Sequence, residues 1–239
     1  VAVERTWLRT YPTSDLLFSH DADNRDIERF QESALFPADM VAVLHESADG
    51  NWLLVQSYNY IAWTPKNAIA IGERQEIMDY SAREDFLLIT GDKVLTTYNP
   101  DAPEVSEVLL DMGVRLPLDR PAKFANSLYG QNPYLSHMVL MPVRSDEGRL
   151  SFKHALIARS KDVHVGYLPY TGENIIRQAM KFVGERYGWG HRYNGRDCTG
   201  FVSEVYKTFG FKMPRNSGDQ GKSKLGANTR FEKDADNAG

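Results

Sequence analysis

What this sequence has least of is cysteine: a single one, Cys198, in 239 residues. An internal disulfide is therefore excluded, as is any Cys-x-x-Cys or Cys/His spacing for zinc. An excess of one charge is also missing. Lys and Arg number 28 against 32 Asp and Glu, a formal net charge of -4, which leaves no basic footprint for nucleic acid or for an anionic lipid surface. Long apolar runs are absent too. Ala68-Ile69-Ala70-Ile71 and His137-Met138-Val139-Leu140-Met141 are typical, far short of the roughly 18 residues that a membrane span needs. No basic segment with an apolar stretch behind it opens the chain. The first residue is Val1 rather than Met, so a signal or anchor removed upstream would leave no trace here.

What is present is ordinary globular material. A hydrophobic share of 42%, a charged share of 25% and an aromatic share of 11% are enough to bury real cores and argue against disorder. The length exceeds one usual domain, so two or three units are expected. Residues 1–74 read as short strands broken by turns. Val41 to His45, the turn Ala48-Asp49-Gly50-Asn51, Trp52 to Gln56 and Tyr60 to Trp63 predict a hairpin-rich small barrel. Ile27 and Phe30, between Asp23 and Gln31, suggest a helical turn or two inside a long loop. Residues 75–170 repeat the β character. Phe86 to Thr90, the turn Gly91-Asp92 and Lys93 to Tyr98 predict a hairpin. Asn99 to Pro103 and the prolines at 117, 121 and 133 mark loops, and strands resume at 136–143, 156–160 and 163–167.

At Thr171 the period changes from 2 to 3.6. Thr171 or Gly172 caps a helix with Glu173 in its first turn and a stripe of Ile175, Ile176, Ala179, Met180 and Val183. A second helix starts at the cap Asp197, carries Phe201, Val202, Val205, Tyr206 and Phe209 on one face, and ends near Gly210 with Pro214 beyond. The third unit is thus 171–239. This reading seats Cys198 at the first helical position. Unpaired N–H groups and the positive end of the helix dipole favour its thiolate. The same N–H groups can receive the oxyanion formed when a thiolate attacks an acyl carbon. Asp197 opposes a second negative charge unless it spends its own on backbone N–H groups or on a substrate ammonium.

Three pieces together, Tyr187-Gly188-Trp189-Gly190, Arg196-Asp197-Cys198-Thr199-Gly200-Phe201-Val202 and Pro214-Arg215-Asn216-Ser217 with Gln220, resemble the NlpC/P60 cysteine peptidases. Within them the sequence is most similar to γ-D-glutamyl-L-diamino acid endopeptidases that carry two bacterial SH3 (SH3b) domains in front. The resemblance implies an α+β multidomain fold: two small SH3-like β-barrels, then the helical N-terminal half of a papain-like NlpC/P60 domain. It implies that Cys198 is the nucleophile and Tyr187 the tyrosine whose hydroxyl addresses the thiol, the plain alternative for Tyr187 being helix-end packing. It implies that Asp197 meets the free amino group of an N-terminal L-alanine. Thr199, where serine is usual, and Ser217 would hold the D-glutamate α-carboxylate, a helix cap being the alternative for Ser217. Tyr58 or Tyr60 would line the cleft from the first barrel, unless both are hairpin surface.

The implied substrate is a peptidoglycan stem peptide, L-Ala-γ-D-Glu-diamino acid, cut at the γ-D-glutamyl amide without metal or organic cofactor. The implied site of action is the cell envelope, periplasmic or extracellular, or else cytoplasmic peptide recycling. Two departures stand out. The family's base is a histidine on a strand after the cysteine, yet no histidine follows Cys198 and Phe231 to Gly239 is nearly all polar or small. A truncated chain without turnover is therefore expected. His191 stands where glycine is usual, and as a loop residue it is expected to be exposed rather than a substitute base. His20, His45, His137, His154 and His164 are expected on strands or surface. The rival readings are a non-catalytic wall-peptide-binding SH3 protein and an acyltransferase on the same cysteine fold.

Overall fold

Period-two patterning in the first third of the chain builds a five-stranded antiparallel sheet, ordered β2-β1-β5-β4-β3. Its strands are β1 (Thr6–Arg9), β2 (Gln31–Leu35), β3 (Ala42–Glu46), β4 (Trp52–Gln56) and β5 (Ile61–Pro65). The computed structural model describes residues 1–18, 25–119 and 127–226. The β3–β4 hairpin lies where the sequence puts it, with Ala42 opposite Gln56 and Glu46 opposite Leu53. Leu8, Leu35, Leu53, Val55, Ala62 and Ile69 form the core beneath; each Leu, Ile or Val there contributes about 1.5–3 kcal/mol by leaving water.

The sheet does not close into the expected barrel. Its outer strands β2 and β3 do not pair with each other. β3 is exposed along its whole length, and β2 instead lies against the loop at 189–194, where Gln31 Nε2 donates to Gly190 O at 2.8 Å. The helical turn expected near Ile27 and Phe30 is also absent from residues 25–30; Asp23 lies outside the described residues. The fully buried Glu28 carboxylate collects the N–H groups of Leu17 and Phe30 and the Arg9 guanidinium. Those bonds satisfy the backbone without a helix.

A helix that the sequence reading did not anticipate, α1 (Arg74–Ala82), leads into the second sheet. Its one buried residue, Tyr80, stacks on Phe152 at 4.4 Å and donates to Leu140 O. Five strands follow in the order β11-β10-β9-β6-β12, with β7 and β8 as a separate pair. Their bounds are β6 (Phe86–Ile89), β7 (Lys93–Leu95), β8 (Leu109–Asp111), β9 (Arg115–Asp119), β10 (Ser136–Arg144), β11 (Leu150–Ala158) and β12 (Val163–Val165). The hairpin expected at Gly91-Asp92 does not form: β6 pairs with β9 and β12, and β7 pairs with β8. The N–H groups of Thr90 and Gly91 both donate to Asp162 O, which turns the chain toward the β12 loop before β7 can fold back. Pro117 lies inside β9, opposite Phe86, rather than in a loop. β10 pairs with β9 only at Leu118 and Asp119, so the missing N–H costs no bond on that side. This unit is again an open sheet. Its core includes Leu87, Ile89, Leu116, Val139 and Ile157, and Phe36 of the first unit joins it.

The helical part follows the sequence closely. Thr171 Oγ1 caps α2 (Gly172–Met180) at Asn174 N, and Asp197 caps α3 (Cys198–Lys207) at Gly200 N. Met112, Phe182, Val205 and Phe209 form their core, with Ile175 and Ala179 packed on it. The other half of the expected stripe, Ile176 and Met180 on α2 and Val183 past its end, is exposed at 65%, 61% and 73%. A short helix, α4 (Ser217–Lys222), comes last. Among the described residues no helix is long and apolar enough to cross a membrane.

Candidate active site

The site is built on the loop between α2 and α3. Tyr187 and Arg196 make a parallel bridge, with Gly188 N donating to Arg196 O at 3.0 Å, so Tyr187 lies beside the residues that lead into α3. Between them Gly190, His191, Tyr193 and Asn194 all adopt positive φ, at 58°, 65°, 56° and 53°. That conformation is costly outside glycine and persists only where surroundings impose it. They do so here. Arg5 donates to His191 O at 2.7 Å and to Gly195 O at 3.1 Å, and Gln31 holds Gly190 O. A Cβ at Gly190 would come within 2.7 Å of Gln31 Cγ and 3.0 Å of the Glu32 backbone, so only glycine lets the first sheet approach this closely.

Cys198 is the first residue of α3 and is exposed, neither buried among hydrocarbon neighbours nor on a strand. Tyr187 lies beside it, across the bridge to Arg196. Partial burial, followed by the proximity of Cys198 and Asp197, holds its phenol above the ordinary range despite Arg215. Tyr187 therefore presents a neutral hydroxyl at neutral pH, 42% exposed.

Asp197 is buried and its carboxylate is fully engaged. Oδ1 accepts from Gly200 N at 2.8 Å and Thr199 Oγ1 at 3.1 Å, while Oδ2 accepts from Gly190 N at 3.0 Å and the Arg215 guanidinium at 2.5 Å. Burial alone would raise its pKa, but the Arg215 charge and hydrogen bonds, with the Gly200 N–H, bring it below the ordinary carboxylate value. Thr199 is also turned inward, its hydroxyl receiving Arg215 Nη1 at 2.6 Å. Arg215 then reaches the first sheet, donating from Nε to Ser33 Oγ at 2.8 Å. Arg215 is a site residue that the Pro214-Arg215-Asn216-Ser217 motif does not single out; a basic residue inside that motif, with Asp197 needing a counter-charge, is the signal for it. Ser217 is exposed at the first residue of α4, one place after the N-cap Asn216, so it is not the cap residue.

Of the two tyrosines offered by the first sheet, Tyr60 donates to Glu32 Oε2 at 2.7 Å, and Thr10 Oγ1 takes the other oxygen. Tyr58 instead lies at the far end of α3, its ring 5.6 Å from Lys207 Nζ. Behind the loop a second set of charges is buried. Arg196 donates to Glu204 and Glu185, each at 2.5 Å, to Asp111 at 3.1 Å and to Asp92 O at 2.8 Å, and Arg5 also holds Asp111 at 2.6 Å.

His191 is not the exposed loop residue expected. It is buried, its Nε2 3.0 Å from Glu204 Oε1, and a Cβ at Gly200 would meet its ring at 2.6 Å. Burial, then the charge of Arg215, lowers its pKa well below the ordinary imidazole value, so the ring is neutral. The cause is local. The positive-φ loop folds the side chain inward, under the first turn of α3, while Cys198 faces out. His45 is exposed on β3, and His137, His154 and His164 lie on strands of the second unit; His20 lies outside the described residues. No group of three or more His, Cys, Asp or Glu that could hold a metal occurs among the described residues.

The site thus sets a cysteine at the opening of a helix, with a tyrosine beside it and a small β-sheet as a wall; residues 17–65 match the model of the SH3 domain (SH3b1 type), and residues 184–239 match that of the NlpC/P60 family. The two matched stretches are similar to an SH3b domain and to NlpC/P60 sequence, in that order along the chain. Among curated relatives, γ-D-glutamyl-L-lysine dipeptidyl-peptidase of Bacillus subtilis (strain 168) is 31% identical over 116 residues, 46% of this chain and 39% of the relative. The protein of the same name from Bacillus cereus (strain ATCC 10987 / NRS 248) is 26% identical over 166 residues, 69% of this chain and 44% of the relative. The chain thus spans about two-fifths of each. Two solved structures share the fold. One is an NlpC/P60 endopeptidase from Photobacterium damselae subsp. piscicida, with TM-score 0.74 and 22% identity over 92% of this chain and 44% of that one. The other is an NlpC/P60 family protein from Bacillus cereus ATCC 10987, with TM-score 0.66 and 18% identity over 96% of this chain and 80% of that one.

Proposed function

We propose that this chain carries the nucleophile-bearing part of a cell-wall peptidase that cleaves the γ-D-glutamyl to diamino-acid amide in peptidoglycan stem peptides, at the cell envelope. The observation that carries this reading is the seat of Cys198: exposed, at the amino end of α3, with Tyr187 bridged to Arg196 beside it. The Cys198 thiolate attacks the γ-carbonyl carbon of D-glutamate, and the N–H groups of the first turn receive the oxyanion. The C–N bond breaks, the diamino acid leaves as an amine, and water releases the acyl group from sulfur. Tyr187 orients the thiol.

The engaged state of Asp197 refines the expected substrate contacts. Asp197 positions the helix mouth and Arg215 while its charge is still felt by the substrate ammonium. Glu32, held by Tyr60 on the wall beside Gly190, is the carboxylate left to accept that ammonium. Ser217 contacts the D-glutamate α-carboxylate, and Thr199 acts by holding Arg215. The division into units 1–74, 75–170 and 171–239, with the second also SH3-like, belongs to the same proposal. It is supported by two sheets of five strands followed by helices.

Expelling an amine needs a proton donor. His191 is buried beneath α3, and among the described residues no imidazole is hydrogen-bonded to Cys198. The 239-residue chain alone is therefore expected to bind but not to turn over L-Ala-γ-D-Glu-diaminopimelate. The test is protection: L-Ala-γ-D-Glu should slow alkylation of Cys198 by iodoacetamide, saturably and in proportion to occupancy. Alkylation unaffected by the dipeptide would favour the non-catalytic wall-binding reading, and brisk turnover by the chain itself would return His191 to candidacy as the base. Transfer of the acyl group to an added amine in preference to water would favour the acyltransferase reading.

A further inference from the structure

At the end of α3 away from Cys198, where both sheets and the helices meet, the chain forms a cleft of about 170 Å³. On a scale of ~10–15 Å³ per water, it has room for a small organic molecule and not for a polymer. Phe36 and Met40 of the first unit, Tyr167 of the second and Phe211 after α3 give it apolar walls. Its charge is one-sided: Lys207, Lys212 and Arg115 line it against one carboxylate, Asp39.

The two lysines are poised in a way the fold does not require. The stem of Lys207 packs on Gly113, where an added Cβ would lie 2.7 Å from Lys207 Cβ. Its ammonium lies 5.0 Å from the Phe36 ring centroid and 5.6 Å from that of Tyr58, and the Lys212 ammonium lies 5.8 Å from the Tyr58 ring. Neither ammonium makes a hydrogen bond or ion pair among the described residues. Arg115 differs, since its guanidinium is pinned 4.0 Å over Phe86 and donates to Arg83 O; it lends charge rather than a free hand. Asp39 spends Oδ2 on the Phe36 N–H at 2.9 Å. Burial works against the Lys207 charge, yet Tyr58, Asp39, Glu204 and Asp111 hold its pKa above the ordinary lysine value. It is therefore protonated at neutral pH, while Glu204 and Asp111 are already taken by Arg196 and Arg5.

An ammonium carries three donors and no acceptor. Two of them, unpaired and flanking one aromatic ring in a sheltered cleft, match an oxyanion. We propose that this junction binds a small organic oxyanion, its carboxylate or phosphate between Lys207 and Lys212 and a short apolar body against Phe36, Met40 and Tyr167. Such an occupant touches both sheets and α3 at once and stabilises their packing. Lys207 closes the helix that Cys198 opens, ~14 Å along its axis at 1.5 Å per residue, so this site is separate from the nucleophile.

The test is isothermal titration of the full chain with sodium benzoate and with inorganic phosphate at matched ionic strength, with benzylammonium chloride as the cationic counterpart. Saturable binding of benzoate or phosphate is expected, with a rise in Tm, and whichever binds identifies the head group. Affinity should fall about tenfold in Lys212→Gln and in Lys207→Met, and stay unchanged in Lys153→Gln, whose partner is Glu104 on another surface. Lys212 is exposed, so Lys212→Gln decides the matter by itself should Lys207→Met fold poorly. Absence of saturable binding, equal binding of benzylammonium, or unchanged affinity in Lys212→Gln would overturn the proposal.

Discussion

The two β units meet the cysteine loop from opposite sides and do different work there. The first leaves the edge of β2 unpaired and lays it against the loop, so that Gln31, Glu32 and Ser33 face Gly190 and Arg215. The second reaches the loop from behind, through Asp92 O, Asp111 and the Lys93–Glu185 pair, all converging on Arg196. The first surface works through side chains, the neutral Gln31 and Ser33 of β2 beside the Arg5 guanidinium, and the second through a buried set of charges whose Asp111 is also held by Arg5. The lesson is that an open sheet is no defect here: a β2 edge closed by another strand could not hold the loop in its left-handed turns.

The sharpest way to break this comparison is to remove the rear anchor. Arg196→Met leaves the buried Glu204 carboxylate without its guanidinium and Asp111 with Arg5 alone, and should cost about 3–5 kcal/mol, read as a lower urea midpoint. A loss under about 1 kcal/mol would make the second unit a passive neighbour. Next, Asp197→Asn weakens charge-assisted bonds to Arg215 and should cost about 1.5–3 kcal/mol. Because Arg215 and the Gly200 N–H hold the folded-state pKa of Asp197 below its unfolded value, that stability is present above the ordinary carboxylate range and disappears as pH falls through the lowered pKa. The gap between wild type and Asp197→Asn should accordingly close on acidification, and a gap constant with pH would contradict the pairing. On the front side, Ser33→Ala removes one neutral hook and should cost about 1 kcal/mol, with faster amide exchange confined to residues 189–200. Smallest of all, Met180→Ser on the exposed half of the α2 stripe should shift stability by under about 0.5 kcal/mol while lowering the binding of a hydrophobic dye.

How far the sequence could be read depends on where the information lies. α3, its Asp197 cap and the seat of Cys198 are local, set by a cap residue and a 3.6-residue stripe, and they are found as expected. So is the β3–β4 hairpin, set by an Asp-Gly turn between apolar runs. Pairings that depend on distant partners were not legible. The Gly91-Asp92 turn is overruled by Asp162, far along the chain, and β2 trades a strand partner for a loop more than 150 residues away. α1 escaped notice because its one buried residue, Tyr80, offers no stripe. At the site, the residue types were legible and their bonding was not. Nothing local says that Asp197 is saturated, that Arg215 saturates it, or that His191 turns inward.

The central claim is that Cys198 acts on a γ-D-glutamyl carbonyl. Its most direct test is intact mass and peptide mapping after reaction with the chloromethyl ketone of L-alanyl-γ-D-glutamate. One adduct per chain on Cys198, forming far faster than with the L-glutamyl isomer, is predicted; equal rates for the two isomers, or no adduct at Cys198, would contradict it.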